Sequence, residues 1–135
     1  MKYMLDTNIC IYIINNRPKK VLQRFVKHPV SEFGISSITQ SELMYGIMKS
    51  RDRDVNFRAL ESFFLPLTVL PYEGTDIAAC YAEIRCQLES QGKIIGPLDM
   101  LIAAHALSLD LILVSNNLRE FKRVKGLKCE NWVRR

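Results

Sequence analysis

Lys2-Tyr3-Met4-Leu5-Asp6-Thr7-Asn8 is the stretch whose reading decides the fold. A short apolar run reaches a carboxylate at Asp6, a polar Thr-Asn pair follows, and an amphipathic segment runs from Ile9 to Ile14. An open α/β sheet delivers a charged side chain to the carboxyl edge of a central strand in this way. Ligands bind at that edge, where the strand ends and the next helix begins. Two further carboxylates, Glu42 and Asp99, stand in comparable punctuation further along. The expectation is that folding brings these three together around a divalent metal ion.

Outward from that opening, five segments read as strands: Tyr3–Leu5, Phe33–Ser36, Thr68–Leu70, Leu111–Val114 and, more weakly, Lys128–Glu130. Helical patterns fill the intervals. Thr7 is suited to cap a helix running to about Asn16, and Pro18 to the first turn of the next, through Lys27. His28-Pro29 stops it. Thr39 and Glu42 have the Thr-x-x-Glu spacing of a capping box ahead of Leu43, Tyr45 and Ile47. Further helices are expected over Asp54–Phe64, over Thr75–Ser90 with an end at Gly92, and from Pro97 to about Ser108-Leu109-Asp110. Strands alternating with helices predict an α/β protein with a central parallel sheet of about four or five strands between helical layers. The wholly apolar Leu111–Val114 run suits an interior strand covered on both faces.

With 135 residues the chain reads most simply as one domain over positions 1–135, large enough to bury a core without staples. No apolar run reaches the ~18 to 20 residues of a membrane span. The amino-terminal residues do not have the secretory pattern, so a cytoplasmic location is expected. Cys10, Cys80, Cys86 and Cys129 form no Cys-x-x-Cys pair, and His28 and His105 are the only histidines. A zinc cluster is therefore not in view, and the cysteines read as small hydrophobes. The formal charge of +5 is uneven. Arg17, Lys19, Lys20, Arg24 and Lys27 form one basic group; Arg119, Lys122, Arg123, Lys125, Lys128, Arg134 and Arg135 form another. Such groups suit a phosphate backbone, an acidic protein or ordinary solvation.

Asp6, Glu42 and Asp99 each fall at a strand-to-helix or loop-to-helix junction. After Val114 comes Ser115-Asn116-Asn117, then Glu120, so four element ends offer oxygen ligands toward one crevice. Carboxylates ~4 Å apart repel by about 1 kcal/mol in water and about 4 kcal/mol at an effective dielectric of 20. Something must neutralise them, and hard oxygen donors point to Mg²⁺ or Mn²⁺. Such an ion acidifies water and steadies charge developing on a phosphate, which implies hydrolysis of a phosphodiester with no covalent enzyme intermediate.

Met4-Leu5-Asp6-Thr7-Asn8, Ser36 to Gly46, Gly96 to Ala106 and Val114 to Phe121 together resemble the PIN-domain ribonucleases. More narrowly, they resemble the VapC toxins of bacterial toxin–antitoxin pairs. The resemblance covers essentially the whole chain. It implies an α/β/α sandwich in which Asp6, Glu42, Asp99 and Asn117 are catalytic and Asp6 and Asp99 bind the metal. Many PIN domains carry Asp where this chain has Asn117, and Glu120 is a candidate for the missing charge. Asn8 and Ser115 would orient Asp6 or a water at the metal, and Arg85 would reach the acids or a substrate phosphate. The resemblance further implies an Mg²⁺- or Mn²⁺-dependent endoribonuclease that arrests translation by cutting tRNA, with the anticodon stem-loop of initiator tRNA as the expected site. A homodimer, a VapB-like antitoxin covering the acids, a higher hetero-oligomer with it, and operator DNA bound through the antitoxin are the implied assemblies.

His105 and the apolar spacing of Leu43, Ile47, Leu60, Phe63 and Phe64 read as core, part of the latter being a candidate dimer or antitoxin groove. Trp132 reads as core cover rather than a base-stacking ring, and His28 as loop surface. A haloacid-type phosphatase would need an acid where Asn8 stands, and a receiver domain would need paired acids after the first strand. The alternative of a different class is a catalytically weak PIN-like regulator that binds RNA or protein.

Overall fold

A computed structural model describes residues 1–133, so Arg134 and Arg135 of the second basic group lie outside the described residues. Strands β1 (Tyr3–Leu5), β2 (Phe33–Ser36), β3 (Thr68–Leu70), β4 (Ile112–Val114) and β5 (Cys129–Glu130) form one sheet in the order β3-β2-β1-β4-β5. Every pairing is parallel. The two late strands are each one residue shorter at their start than expected, beginning at Ile112 and Cys129. The chain builds outward from β1 through β2 to β3, then returns to the far side of β1 for β4 and β5. That reversal makes a switch point between the carboxyl ends of β1 and β4, the place where open α/β sheets leave a crevice.

Alternation along each strand feeds two cores. Tyr3 and Leu5 of β1, Phe33 and Ile35 of β2 and Val114 of β4 pack on one face. Against them lie Ile9, Cys10 and Ile13 of α1 (Thr7–Asn15), Val21 of α2 (Lys19–Phe25), Leu43 and Ile47 of α3 (Ser37–Met48) and Leu60 of α4 (Arg53–Phe64). Met4 and Leu113 point the other way. They meet α5 (Thr75–Ser90), α6 (Pro97–Ser108) and α7 (Leu118–Phe121) through Ile84, Leu88, Met100, Ala103 and Phe121. The result is the expected α/β/α sandwich. Among the described residues no helix is long and apolar enough to cross a membrane.

Several boundaries differ from expectation, each for a local reason. Asp6, not Thr7, caps α1: its backbone is extended and its carboxylate accepts from the Ile9 N–H. Pro18 stands before α2 as its extended cap, and the helix ends at Phe25 rather than Lys27. No capping box forms at Thr39, because Ser36 has already started α3 by accepting from the Ile38 N–H at 3.1 Å. Thr39 lies buried inside the helix, its hydroxyl without a partner. Pro97 opens α6 as expected. Gly92, at φ +64°, follows the end of α5 in the left-handed conformation that favours glycine. Cys10 is buried, as a small hydrophobe should be, whereas Cys86 is exposed.

An aromatic cluster closes one edge of the first core. Tyr3 and Phe33 are register partners across β1 and β2, which places their rings side by side. Trp132 is 1% exposed and meets both edge-on. His28 stacks on Trp132 with centroids 5.6 Å apart and faces Glu32 at 3.2 Å, so it is half-buried and not a surface loop residue. The indole N–H donates to Glu130, which also receives Arg24. Trp132 thus covers core, as its reading from sequence holds. Trp132→Ala should lower unfolding free energy by about 3–5 kcal/mol, the usual scale for emptying a large aromatic site. Urea denaturation checks it, and a loss below about 1 kcal/mol would contradict the packing role.

Candidate active site

Asp6 sits at the carboxyl end of β1, the central strand. Its N–H donates to Val114 O at 3.0 Å, so pairing with β4 continues up to the residue that carries the carboxylate. One carboxylate oxygen accepts from the Ile9 N–H at 3.0 Å, and the Ser115 hydroxyl donates to the carboxylate from the end of β4. Asp6 is only 5% exposed. Burial raises its pKa from 3.8 to about 6; the Ser115 and Ile9 hydrogen bonds oppose the rise, and the charges of Asp99 and Glu42 add to it.

Asp99 is the third residue of α6, where a helix amino terminus favours an acid. It is half-buried. Its pKa also rises to about 6, through burial first, then Glu120 and then Glu42. Gly96 stands close beside it, since a Cβ there would lie 3.3 Å from the Asp99 carboxylate. Glu42 comes from α3 and accepts from the Thr7 hydroxyl at 2.7 Å. Asn117 donates its backbone N–H to the Ser115 hydroxyl oxygen at 2.9 Å and its side-chain amide to Glu120 at 3.0 Å. Its side chain therefore fixes Glu120, whose charge is the strongest one felt by Asp99.

The structure thus places Asp6, Glu42 and Asp99 within electrostatic reach of one another, with Ser115 on Asp6 and the Asn117–Glu120 pair beside Asp99. Asn8 is exposed on the first turn of α1. Arg85 lies on an exposed face of α5, donating to Tyr81 at 3.0 Å and standing 3.7 Å from Glu89, so its contacts are within its own helix and not with the acids. His105 is buried, its Nδ1 2.8 Å from the Ser36 hydroxyl, and is a packing residue as expected. Two positioning residues escape a reading of the sequence. Thr7 looks like a cap but holds Glu42, and Tyr12 receives the Asn116 amide at 2.8 Å. The Asp-Thr-Asn run is the only local signal for the first; nothing in the sequence announces the second.

Among the described residues no three Asp, Glu, His or Cys side chains close into a ready metal cage. The donor chemistry nonetheless fits a hard divalent cation. The facing groups are carboxylates, hydroxyls and amides; burial first, and then the neighbouring negative charges, push Asp6 and Asp99 toward protonation, the condition a cation would reverse.

A parallel sheet whose switch point gathers acids from three junctions with helices defines a PIN domain, and the PIN-domain family model matches residues 3–127. The chain belongs to this family and, within it, to the VapC group. It is 50% identical to ribonuclease VapC2 of Haemophilus influenzae, across 98% of this chain and 99% of that one. It is 45% identical to the tRNA(fMet)-specific endonuclease VapC of Shigella flexneri, across 98% of each. Its fold superposes with a TM-score of 0.90 on a crystal structure of VapBC2 from Rickettsia felis bound to a DNA fragment from their promoter. That match has 40% identity and covers 98% of this chain and 99% of that one.

Without metal, both aspartates bind protons more tightly folded than unfolded. Stability should therefore fall as pH rises through the window from about 4 to about 6 and level off above it. Asp6 accounts for about 3 kcal/mol of the fall at about 1.36 kcal/mol per pKa unit, and half-exposed Asp99 for less. Chemical denaturation in chelator across pH 4–8 measures this, and Asp6→Asn should flatten most of the slope. Rising stability across that window would refute the assignment.

Proposed function

We propose that the chain is a metal-dependent endoribonuclease toxin that hydrolyses phosphodiester bonds in tRNA and thereby stops translation. The observation that carries this reading is the buried Asp6 carboxylate at the switch point, with Asp99 and Glu42 close enough to raise its pKa. Asp6 and Asp99 would hold Mg²⁺, with Mn²⁺ as a substitute. When bound, the cation offsets the acids, acidifies water and steadies the charge that develops on the phosphate. The remaining work falls to positioning by this chain. Ser115 and the Ile9 N–H hold Asp6, Thr7 holds Glu42, and Asn117 holds Glu120. Hydrolysis joins a water oxygen to phosphorus and breaks the bond to a ribose oxygen; a tethered carboxylate, Glu42 or Glu120, would take the water's proton, and a solvent proton would complete the departing ribose hydroxyl.

The name of the Shigella relative favours tRNA as substrate, with the initiator tRNA anticodon stem-loop as the first site to examine. The VapBC structure favours a VapB-like antitoxin as partner. An apolar hollow of about 270 Å³ suits its docking, lined by Ile11, Ile14, Leu43, Ile47 and Leu60 and reaching Glu42 at one end. Homodimers, larger assemblies with the antitoxin, operator binding through the antitoxin and a cytoplasmic site of action belong to the same proposal.

Purified protein should cleave tRNA with Mg²⁺ or Mn²⁺ and fall silent in chelator. Asp6→Asn should lose about 10²–10³-fold, the scale for removing one preorganised electrostatic group. The melting temperature should also rise with millimolar metal, by mass action on the native state. Full activity in Asp6→Asn would refute the site. Retention of tRNA without cleavage would favour the reading as a binding regulator, with Asn117 in place of an acid as the cause.

A further inference from the structure

We infer that the basic face of α7 and the turn after it, flanking the acidic crevice, is the track that holds the RNA backbone on either side of the cut. This rests on the ribonuclease reading and deepens it by assigning residues that hold substrate away from the reacting phosphate. Two hollows meet at α7. One, of about 740 Å³, lies between Arg24, Asn116, Arg119, Lys122 and Glu130 at the carboxyl ends of β4 and β5. The other, of about 420 Å³, is lined by Lys93, Arg119, Lys122, Arg123 and Lys125 with two glutamines and no acid. Arg119 and Lys122 wall both, so the hollows form one continuous basic surface.

Charge balance leaves this surface unneutralised. Glu130, the acid in the larger hollow, is paired with Arg24 at 3.1 Å, and Lys128 is paired with Asp110. Among the described residues Lys93, Arg119, Lys122, Arg123 and Lys125 form no ion pair. The geometry is also fixed. Arg119 stands on α7, Lys122 caps its end and Arg123 follows in the next turn, while Phe121 anchors the segment, buried at 1% exposure. Gln87 of α5 donates to Arg123 O at 3.0 Å and accepts from the Lys125 N–H at 3.4 Å, which braces the turn. Arg123 in turn donates to Ile94 O at 3.2 Å.

Continuity with the crevice identifies the occupant. Asn116 lines the larger hollow and is next to Ser115 and Asn117, which hold Asp6 and Glu120. Asn116 thus brings the basic surface to the edge of the crevice, where a polyanion held at the acids would meet it. Nucleic-acid interfaces are polar and strongly basic, whereas protein interfaces want an apolar centre. The apolar hollow beyond Glu42 has that character and α7 does not.

The test is equilibrium binding of tRNA in chelator, where no cleavage occurs, over a range of salt, for wild type, Arg119→Ala/Lys122→Ala and Lys19→Ala/Lys20→Ala. The last pair removes the same charge from exposed positions on α2. The α7 pair should raise Kd about ten-fold or more and lower the slope of log affinity on log salt by about 1.5, since each phosphate contact contributes ~0.7 to ~0.9. The α2 pair should leave the slope unchanged, and Arg119→Lys/Lys122→Arg should restore most of the affinity. Equal losses in the two alanine pairs, or weakening only toward an acidic polypeptide such as polyglutamate, would overturn the track. Wild-type cleavage with an unaffected α7 pair removes the track alone. Binding that depends on α7 in a wild-type protein that cuts nothing removes the catalytic reading alone.

Discussion

A carboxylate held almost wholly out of water at the end of a central strand is the constraint on which the rest depends. Burying Asp6 opposes its ionisation, and the neighbouring charges of Asp99 and Glu42 oppose it further. Hydrogen bonds from Ser115 and from the Ile9 N–H work the other way. Such a group costs stability unless something else compensates. A destabilising acidic cluster in an otherwise apolar sandwich is therefore read as a site, and the proposed cation is what would compensate it.

The scaffold around that carboxylate is a set of short tethers between elements far apart in the chain. Thr7 reaches Glu42 of α3, Asn116 reaches Tyr12 of α1, and Ser115 bridges the end of β4 to the end of β1. The first ties two helices, the second ties the loop after β4 to a helix, and the third ties two strand ends. The sheet therefore sets separations between acids, and the tethers set their orientations. Asn117 shows the division of labour. In place of an acid it offers an amide, and the amide is directed at Glu120, so a charge reaches Asp99 from one turn further along.

Around this centre the surface has two contrasting flanks. On the side of α1, α3 and α4 an apolar hollow begins at Glu42. On the side of α7 an unpaired basic surface begins at Asn116. One flank is apolar and includes Glu42 in its lining; the other is basic and comes to Asn116, beside Ser115 and Asn117.

Much of this was legible in the residues. Short strand-like runs alternating with helical patterns, Pro97 before Asp99, the apolar Leu111–Val114 run and the acid after Leu5 determine an α/β fold, because backbone geometry and burial act over a few neighbouring positions. Thr75–Ser90 could be bounded to the residue for the same reason. Other assignments failed where a side chain had two possible partners. Thr7 and Thr39 both have the chemistry of caps, but Asp6 and Ser36 cap first. Thr7 is then free to reach Glu42, 35 positions away. His28 lost its surface role to Trp132, and Arg85 stayed on its own helix with Tyr81 and Glu89. Local sequence determined which residues were able to cap, pair or stack. Only the tertiary structure decided which did, since the competing partner in each case was brought into range by the packing of distant elements.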